Sequence, residues 1–250
     1  MTPAPHPSLG RALVLQHHPD EDPGALGPLL TAAGLDITTV ELYQHEPIPP
    51  LDGFDLLLVM GGPMDVWQEA EHPWLVAEKA AIRHWVAELG RPYLGVCLGH
   101  QLLAEALGGT VRLMEEPEIG VVNIALTPEG RSDRVFGQLP EVLLGLQWHG
   151  AAVVRLPEGA VALAGNERCT LQALRVGTCA WGVQFHVEVE SSTIPKWARV
   201  PEYDEALART GSSAASLERA VETNLAAMAE IARRLFLGIM ASTVGLTLPS

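Results

Sequence analysis

Positive charge is in short supply. Lys and Arg number 16 against 30 Asp and Glu, a net charge of −14 over 250 residues. Nucleic acid and anionic membrane both call for a positive surface, so neither is the expected partner. Cysteine is scarcer still, with only Cys97, Cys169 and Cys179. An odd, small number in a chain of this size is no disulfide framework, and a reducing cytosol is the simpler setting. Long apolar runs are missing as well. No stretch reaches the roughly 20 residues of a membrane-spanning helix. The segment Met1 to Gly10 carries Pro3, Pro5 and Pro7 and no apolar run, so neither a signal peptide nor an anchor is expected there. There is no repeat, no low-complexity segment and no phosphate-cradling Gly-x-x-x-x-Gly-Lys-Ser/Thr.

What is present is apolar material in the right periods. Hydrophobic residues make up 48% of the chain, enough for one large α/β domain or at most two small ones. Arg11 to His17, Asp36 to Leu42, Phe54 to Met60 and Tyr93 to Val96 read as buried strands. Ala25 to Ala33, Pro73 to Leu89 and Leu98 to Leu107 read as the helices that follow them. Fully apolar strands alternating with helices predict a doubly wound, mostly parallel sheet covered on both faces. From Thr110 the texture changes to shorter strands, 121–126, 142–147, 153–156, 160–164, 171–175 and 180–185, expected as antiparallel additions. The stretch from Ser191 to about Ser213 reads as irregular. A helix is predicted from Ala215 to Phe236, packing on the sheet or on a second subunit, which leaves a homodimer open. The domain expectation is a single unit over 1–250, with a core at about 11–190 and a C-terminal helical extension over 191–250. His17 and His18 fall in a loop with no third or fourth ligand at a useful spacing, so that pair is read as solvated and no metal is expected.

Cys97 is the residue to explain. It falls where an apolar strand meets a helix, with Gly95 and Gly99 two positions to either side. A turn that tight crowds its second neighbours and lifts one side chain above the sheet. A thiol there sits at a helix N-terminus, whose partial positive charge favours the thiolate. A buried structural cysteine is the plain alternative. Cys169 and Cys179 are expected to be structural and dispensable.

A cysteine nucleophile needs a base, and the base needs an orienting group. His186-x-Glu188 supplies both, because on a strand side chains two apart face the same way and Val187 points into packing. A surface strand of alternating polar residues would look similar, since Glu190 continues the pattern. Developing negative charge needs backbone N–H donors. Leu98 N–H, directly after the cysteine, is one. Gly61-Gly62-Pro63, ending a neighbouring strand, supplies the other, since glycine allows close backbone approach.

Taken in order, Met60-Gly61-Gly62-Pro63, Gly95-Val96-Cys97-Leu98-Gly99-His100-Gln101, Gln147-Trp148-His149-Gly150 and Gln184-Phe185-His186-Val187-Glu188 resemble the class I glutamine amidotransferases. This is the Cys-His-Glu glutaminase type that includes the GMP synthetase glutaminase domain. The resemblance spans roughly Arg11 to Glu190 and implies a flavodoxin-like fold. It implies Cys97 as nucleophile, His186 as base and Glu188 as orienting acid, with the amides of Gly62 and Leu98 as oxyanion hole. Gln101 would contact bound glutamine, and Trp148, His149 and Gly150 would form a loop around its α-amino and carboxylate end. Ala151 departs from the pattern, which often has Asp after His-Gly, and His149 is open to a structural role. No cofactor is implied. The reaction implied is release of ammonia from the glutamine side-chain amide, with the acceptor on a separate synthetase subunit or absent.

Three other readings stay in view. A γ-glutamyl hydrolase or peptidase would use the same triad on larger γ-glutamyl amides. A cysteine α/β-hydrolase would place its acid before its histidine, the reverse of the order found. A degenerate fold serving as an interaction protein would lack a triad member, and none is lacking.

Overall fold

The computed structural model describes residues 10–243; the Pro-rich segment Met1 to Leu9 and the last seven residues lie outside the described residues. The first half of the chain contains β1 (Gly10–Gln16), α1 (Leu26–Ala32), β2 (Leu35–Glu41), β3 (Leu56–Val59), α2 (Trp74–Arg83), β4 (Tyr93–Val96) and α3 (Leu98–Ala106). The second half contains β5 (Thr110–Leu126), α4 (Pro128–Ser132), β6 (Val142–Arg155), β7 (Ala160–Gly165), β8 (Ala173–Val176), β9 (Ala180–Val183), α5 (Thr193–Trp197), α6 (Pro201–Arg209) and α7 (Ala214–Thr243).

All nine strands among the described residues join one mixed sheet in the order β2-β1-β3-β4-β9-β8-β7-β5-β6. The pairings from β2 through to β9 are parallel, and those from β9 out to β6 are antiparallel. The period of two that marks a strand sorts its residues between two cores. Ala12, Val14, Leu56, Leu58, Leu94 and Val96 enter one cluster with Leu30 of α1 and with Ile231, Leu235 and Phe236 of α7. Leu13, Leu15, Leu57, Val59 and Tyr93 enter the other, with Leu75 and Ile82 of α2 and Leu98, Leu102 and Leu103 of α3. Both faces are therefore covered, as parallel strands require. The long C-terminal helix packs on the sheet.

The second half differs from the expectation in two ways. The short strands predicted over 142–147 and 153–156 are parts of one strand, β6, and 121–126 is the end of the long β5. Gly150 and the polar Gln147 and His149 look like a break, but β5 accommodates them. Its register shifts between Leu113 and Glu118, so that Leu113 pairs with Ala151 while Glu118 already faces His149. Trp148-His149-Gly150 thus lies on a strand, not in a loop. The stretch after Ser191 is not irregular either. It holds α5 and α6, which join Leu146, Trp148 and the start of α7 in a third cluster built around Trp197, Tyr203 and Leu217. Those helices have five and nine residues, too short for a clear helical period in sequence.

Candidate active site

Cys97 has φ 51° and ψ −103°, a left-handed conformation that a residue with a side chain adopts only under constraint. The constraint is the crossing of α3 over the strand ends. A Cβ at Gly99 would lie 2.2 Å from Val59 O, and one at Gly95 would lie 2.4 Å from Gly99 O. Side chains at either position would push the helix off β3 and β4. The Cys97 N–H donates to Val183 O at 2.8 Å and the Gly99 N–H to Met60 O at 3.2 Å, tying the turn to the ends of β9 and β3. The thiol therefore stands at the C-terminal edge of the parallel strands, where open α/β sheets place their sites.

His186 and Glu188 follow β9 but are not on a regular strand. Residues 184–190 leave the regular sheet, and at an isolated bridge His186 and Leu146 exchange backbone bonds of 2.8 and 3.0 Å. The pair meets all the same, with His186 Nδ1 2.5 Å from Glu188 Oε1, while Glu188 Oε2 accepts the Val187 N–H at 2.9 Å. Cys97 lies close enough to His186 to act on the charge of its imidazole. Burial works to lower the pKa of His186, but the Glu188 charge, Cys97 and their hydrogen bonds outweigh it and hold the ring well above the ordinary histidine range. A donor reaches the thiol, since Gln184 Nε2 lies 3.6 Å from Cys97 Sγ. The Trp197 ring packs edge-on against the imidazole with centroids 4.6 Å apart, and its N–H donates to Asp20 O at 2.9 Å.

In front of the thiol is a cavity of about 150 Å³. Gly62, Leu98, Gln101, Trp148, His149, Gly150 and Ala151 line it together with Cys97, and Asp65, Glu202 and Tyr203 are among the other residues around it. Gln101 is fixed by donating to Ala151 O at 2.9 Å and to Gln184 Oε1 at 3.1 Å. His149 Nδ1 lies 2.9 Å from Ala151 O and Nε2 3.2 Å from Glu118 Oε2. Glu118 in turn accepts from Asn166 at 2.7 Å and from Gln172 at 2.8 Å, a buried network that immobilises His149. Trp148 donates its indole N–H to Tyr203 O at 3.2 Å and packs against the rings of Trp197 and Tyr203. His100, inside the cysteine motif, points away. It packs against Gly182, and burial first of all pushes its pKa down to about 4, so it is neutral.

Three participants were not legible beforehand. His17, expected in a solvated loop, is 1% exposed and bonded to Gly61 O and to Glu78 of α2. The loop folds back here, with Ala25 N–H donating to Glu188 O at 2.7 Å. Glu21 in the same loop is also 1% exposed, and its Oε1 accepts the Tyr203 hydroxyl. Burial pushes its pKa up to about 7, against the opposing pull of His186, the Tyr203 hydrogen bond and His17. Tyr203 itself comes from α6. Among the described residues no group of three or more His, Cys, Asp or Glu is placed to hold a metal ion.

Compared with known proteins, the family described as glutamine amidotransferase class-I matches residues 28–197. The chain belongs to this family. The glutamine-hydrolysing GMP synthase subunit of Sulfolobus acidocaldarius is 32% identical over 157 residues, 62% of this chain and 79% of that protein. A glutamine amidotransferase from Thermotoga maritima superposes with a TM-score of 0.83 at 26% identity, covering 95% of this amidotransferase and 100% of the other. One from Methylobacillus flagellatus also reaches 0.83, at 27% identity over 94% of this chain and 96% of its own. The structural likeness thus runs beyond the family match and into the α5–α7 extension. No helix among the described residues is long and apolar enough to cross a membrane.

Proposed function

We propose that this amidotransferase hydrolyses the side-chain amide of glutamine through a γ-glutamyl thioester on Cys97, and that the ammonia passes to an acceptor on a separate subunit. The observation that supports it is a strained cysteine, coupled to the bonded His186–Glu188 pair, that lines one small cavity together with Gly62 and Leu98. Cys97 passes its thiol proton to His186 and its Sγ attacks the amide carbon, so that the carbonyl oxygen becomes an oxyanion facing Gly62 N–H and Leu98 N–H. His186, held by Glu188, gives a proton to the departing nitrogen, and the C–N bond breaks to leave ammonia and the thioester. Water then attacks the thioester with His186 taking its proton, and glutamate and the free thiol are released.

The cavity supports a substrate the size of a free amino acid. At about 150 Å³ it lies below the roughly 300–1,000 Å³ of sites for larger ligands. Its lining carries the carboxylates of Asp65 and Glu202 and no lysine or arginine, which suits the α-ammonium of glutamine and disfavours polyanionic γ-glutamyl chains. Since α5 and α6 wall the site, we take the core and the extension as one functional unit.

The test is release of ammonia and glutamate by the purified chain, with L-glutamine and a panel of γ-glutamyl amides, beside Cys97→Ala. Turnover of glutamine that vanishes in a folded Cys97→Ala protein is expected. Preference for larger γ-glutamyl compounds would transfer the protein to the γ-glutamyl hydrolase reading.

A further inference from the structure

The glutaminase reading needs Gly62 N–H turned toward Cys97, and a Gly-Gly peptide has little intrinsic reason to choose that orientation. The residue behind it does. His17 follows directly on β1, next to the end of β3, and its ring is buried. Its Nδ1 lies 3.0 Å from Gly61 O, and its Nε2 lies 2.9 and 3.0 Å from the two oxygens of Glu78. A carbonyl and a carboxylate only accept, so each ring nitrogen carries a hydrogen and the ring is an imidazolium. Burial opposes that charge, but the Glu78 charge, its hydrogen bond, the Gly61 carbonyl and the Glu21 charge together raise the pKa of His17 above the ordinary value.

Gly61 C=O and Gly62 N–H belong to one peptide plane, and in a trans peptide the two point in opposite directions. With the carbonyl drawn to His17, the N–H faces the other way. That is the side on which Gly62 and Cys97 line the cavity. Gly62 is hemmed in as well, because a Cβ there would lie 2.8 Å from His17 Cβ and 2.7 Å from Met64 Sδ. We propose that the His17–Glu78 pair is a clamp that holds the Gly61–Gly62 peptide with its N–H toward Cys97, so that the oxyanion hole is complete in this chain without a partner subunit. The inference rests on the glutaminase reading and makes His17 a positioning residue.

The test replaces both clamp partners so that no buried charge is stranded. His17→Leu with Glu78→Leu removes the hold on Gly61. His17→Asn with Glu78→Leu restores a donor at the place of Nδ1. The first pair is expected to lower kcat for glutamine by about 10²- to 10³-fold, the loss typical of one missing oxyanion donor. Its KM and the rate of Cys97 alkylation by iodoacetamide should stay within about threefold, since neither reads the oxyanion. The Asn variant should recover most of kcat. Unchanged kcat in a folded Leu pair, or a loss that Asn does not relieve, overturns the clamp. A crystal structure of the wild-type chain decides the matter even if the variants fail to fold, because Gly61 O facing the cavity would refute it. A wild-type chain silent toward every γ-glutamyl amide, yet with Gly61 O on His17, would remove the glutaminase reading and leave the peptide orientation standing. An active chain with Gly61 O in the cavity would do the reverse.

Discussion

Replacing Glu21 by Gln isolates the energetic cost of keeping an ionisable group under the active site. The amide can still accept the Tyr203 hydroxyl that Glu21 Oε1 accepts now, so the contact is kept and only the charge is removed. Burial raises the carboxyl of Glu21 from 4.5 to about 7. Between those values the folded protein holds a proton that the unfolded chain has released, so stability falls as pH rises through this window. The cost is absent below the unfolded pKa and complete above the folded one. At about 1.36 kcal/mol per tenfold change in proton affinity, the full loss is roughly 3 kcal/mol, of which about 2 kcal/mol develops between pH 5.5 and 8.5. Urea denaturation of both proteins across that range measures it, the difference between them cancelling the titrations of groups that Glu21 does not touch. The Gln variant should gain on the wild type by about 2 kcal/mol from the acidic to the alkaline end. A gap that stays flat with pH would show that Glu21 is as solvated folded as unfolded, and the reasoning would be refuted.

Glu188→Gln should lower kcat about 100-fold with little change in KM, because the neutral amide cannot support the charge on His186. The same variant should draw the alkaline limb of the kcat profile to lower pH, since Glu188 is the main group raising the pKa of His186; an unmoved profile and unchanged kinetics would exclude the orienting role. Gly99→Ala places a Cβ 2.2 Å from Val59 O, and moving α3 off β3 should cost about 2–3 kcal/mol, read as a lower urea midpoint at unchanged slope. A midpoint equal to the wild type would show that the elbow has room to spare.

The contrast between Cys97 and His17 shows what could be read from residues alone. Gly95-Val96-Cys97-Leu98-Gly99 is a local steric problem, and its solution is contained in five consecutive residues. The parallel strands were equally legible, because their apolar runs must be covered on both faces wherever they end up. His186 and Glu188 met as expected, although the strand proposed to align them ends at Val183. Spacing set the pair, and the bridge to Leu146 set the backbone.

His17 and Glu21 were illegible for a different reason. A histidine in a Pro- and Asp-rich loop has the local signature of a solvated residue, and only the arrival of Glu78 from α2 makes its burial affordable. Glu21 depends in the same way on Tyr203. Likewise Trp148-His149-Gly150 sits on a strand because β5 shifts register opposite it. Sequence alone determined the turn at Cys97 and the layered sheet, since covalent geometry and apolar period act over a few residues. Tertiary structure alone decided which polar groups are buried, because a charge can leave water only when a partner from elsewhere in the chain meets it there.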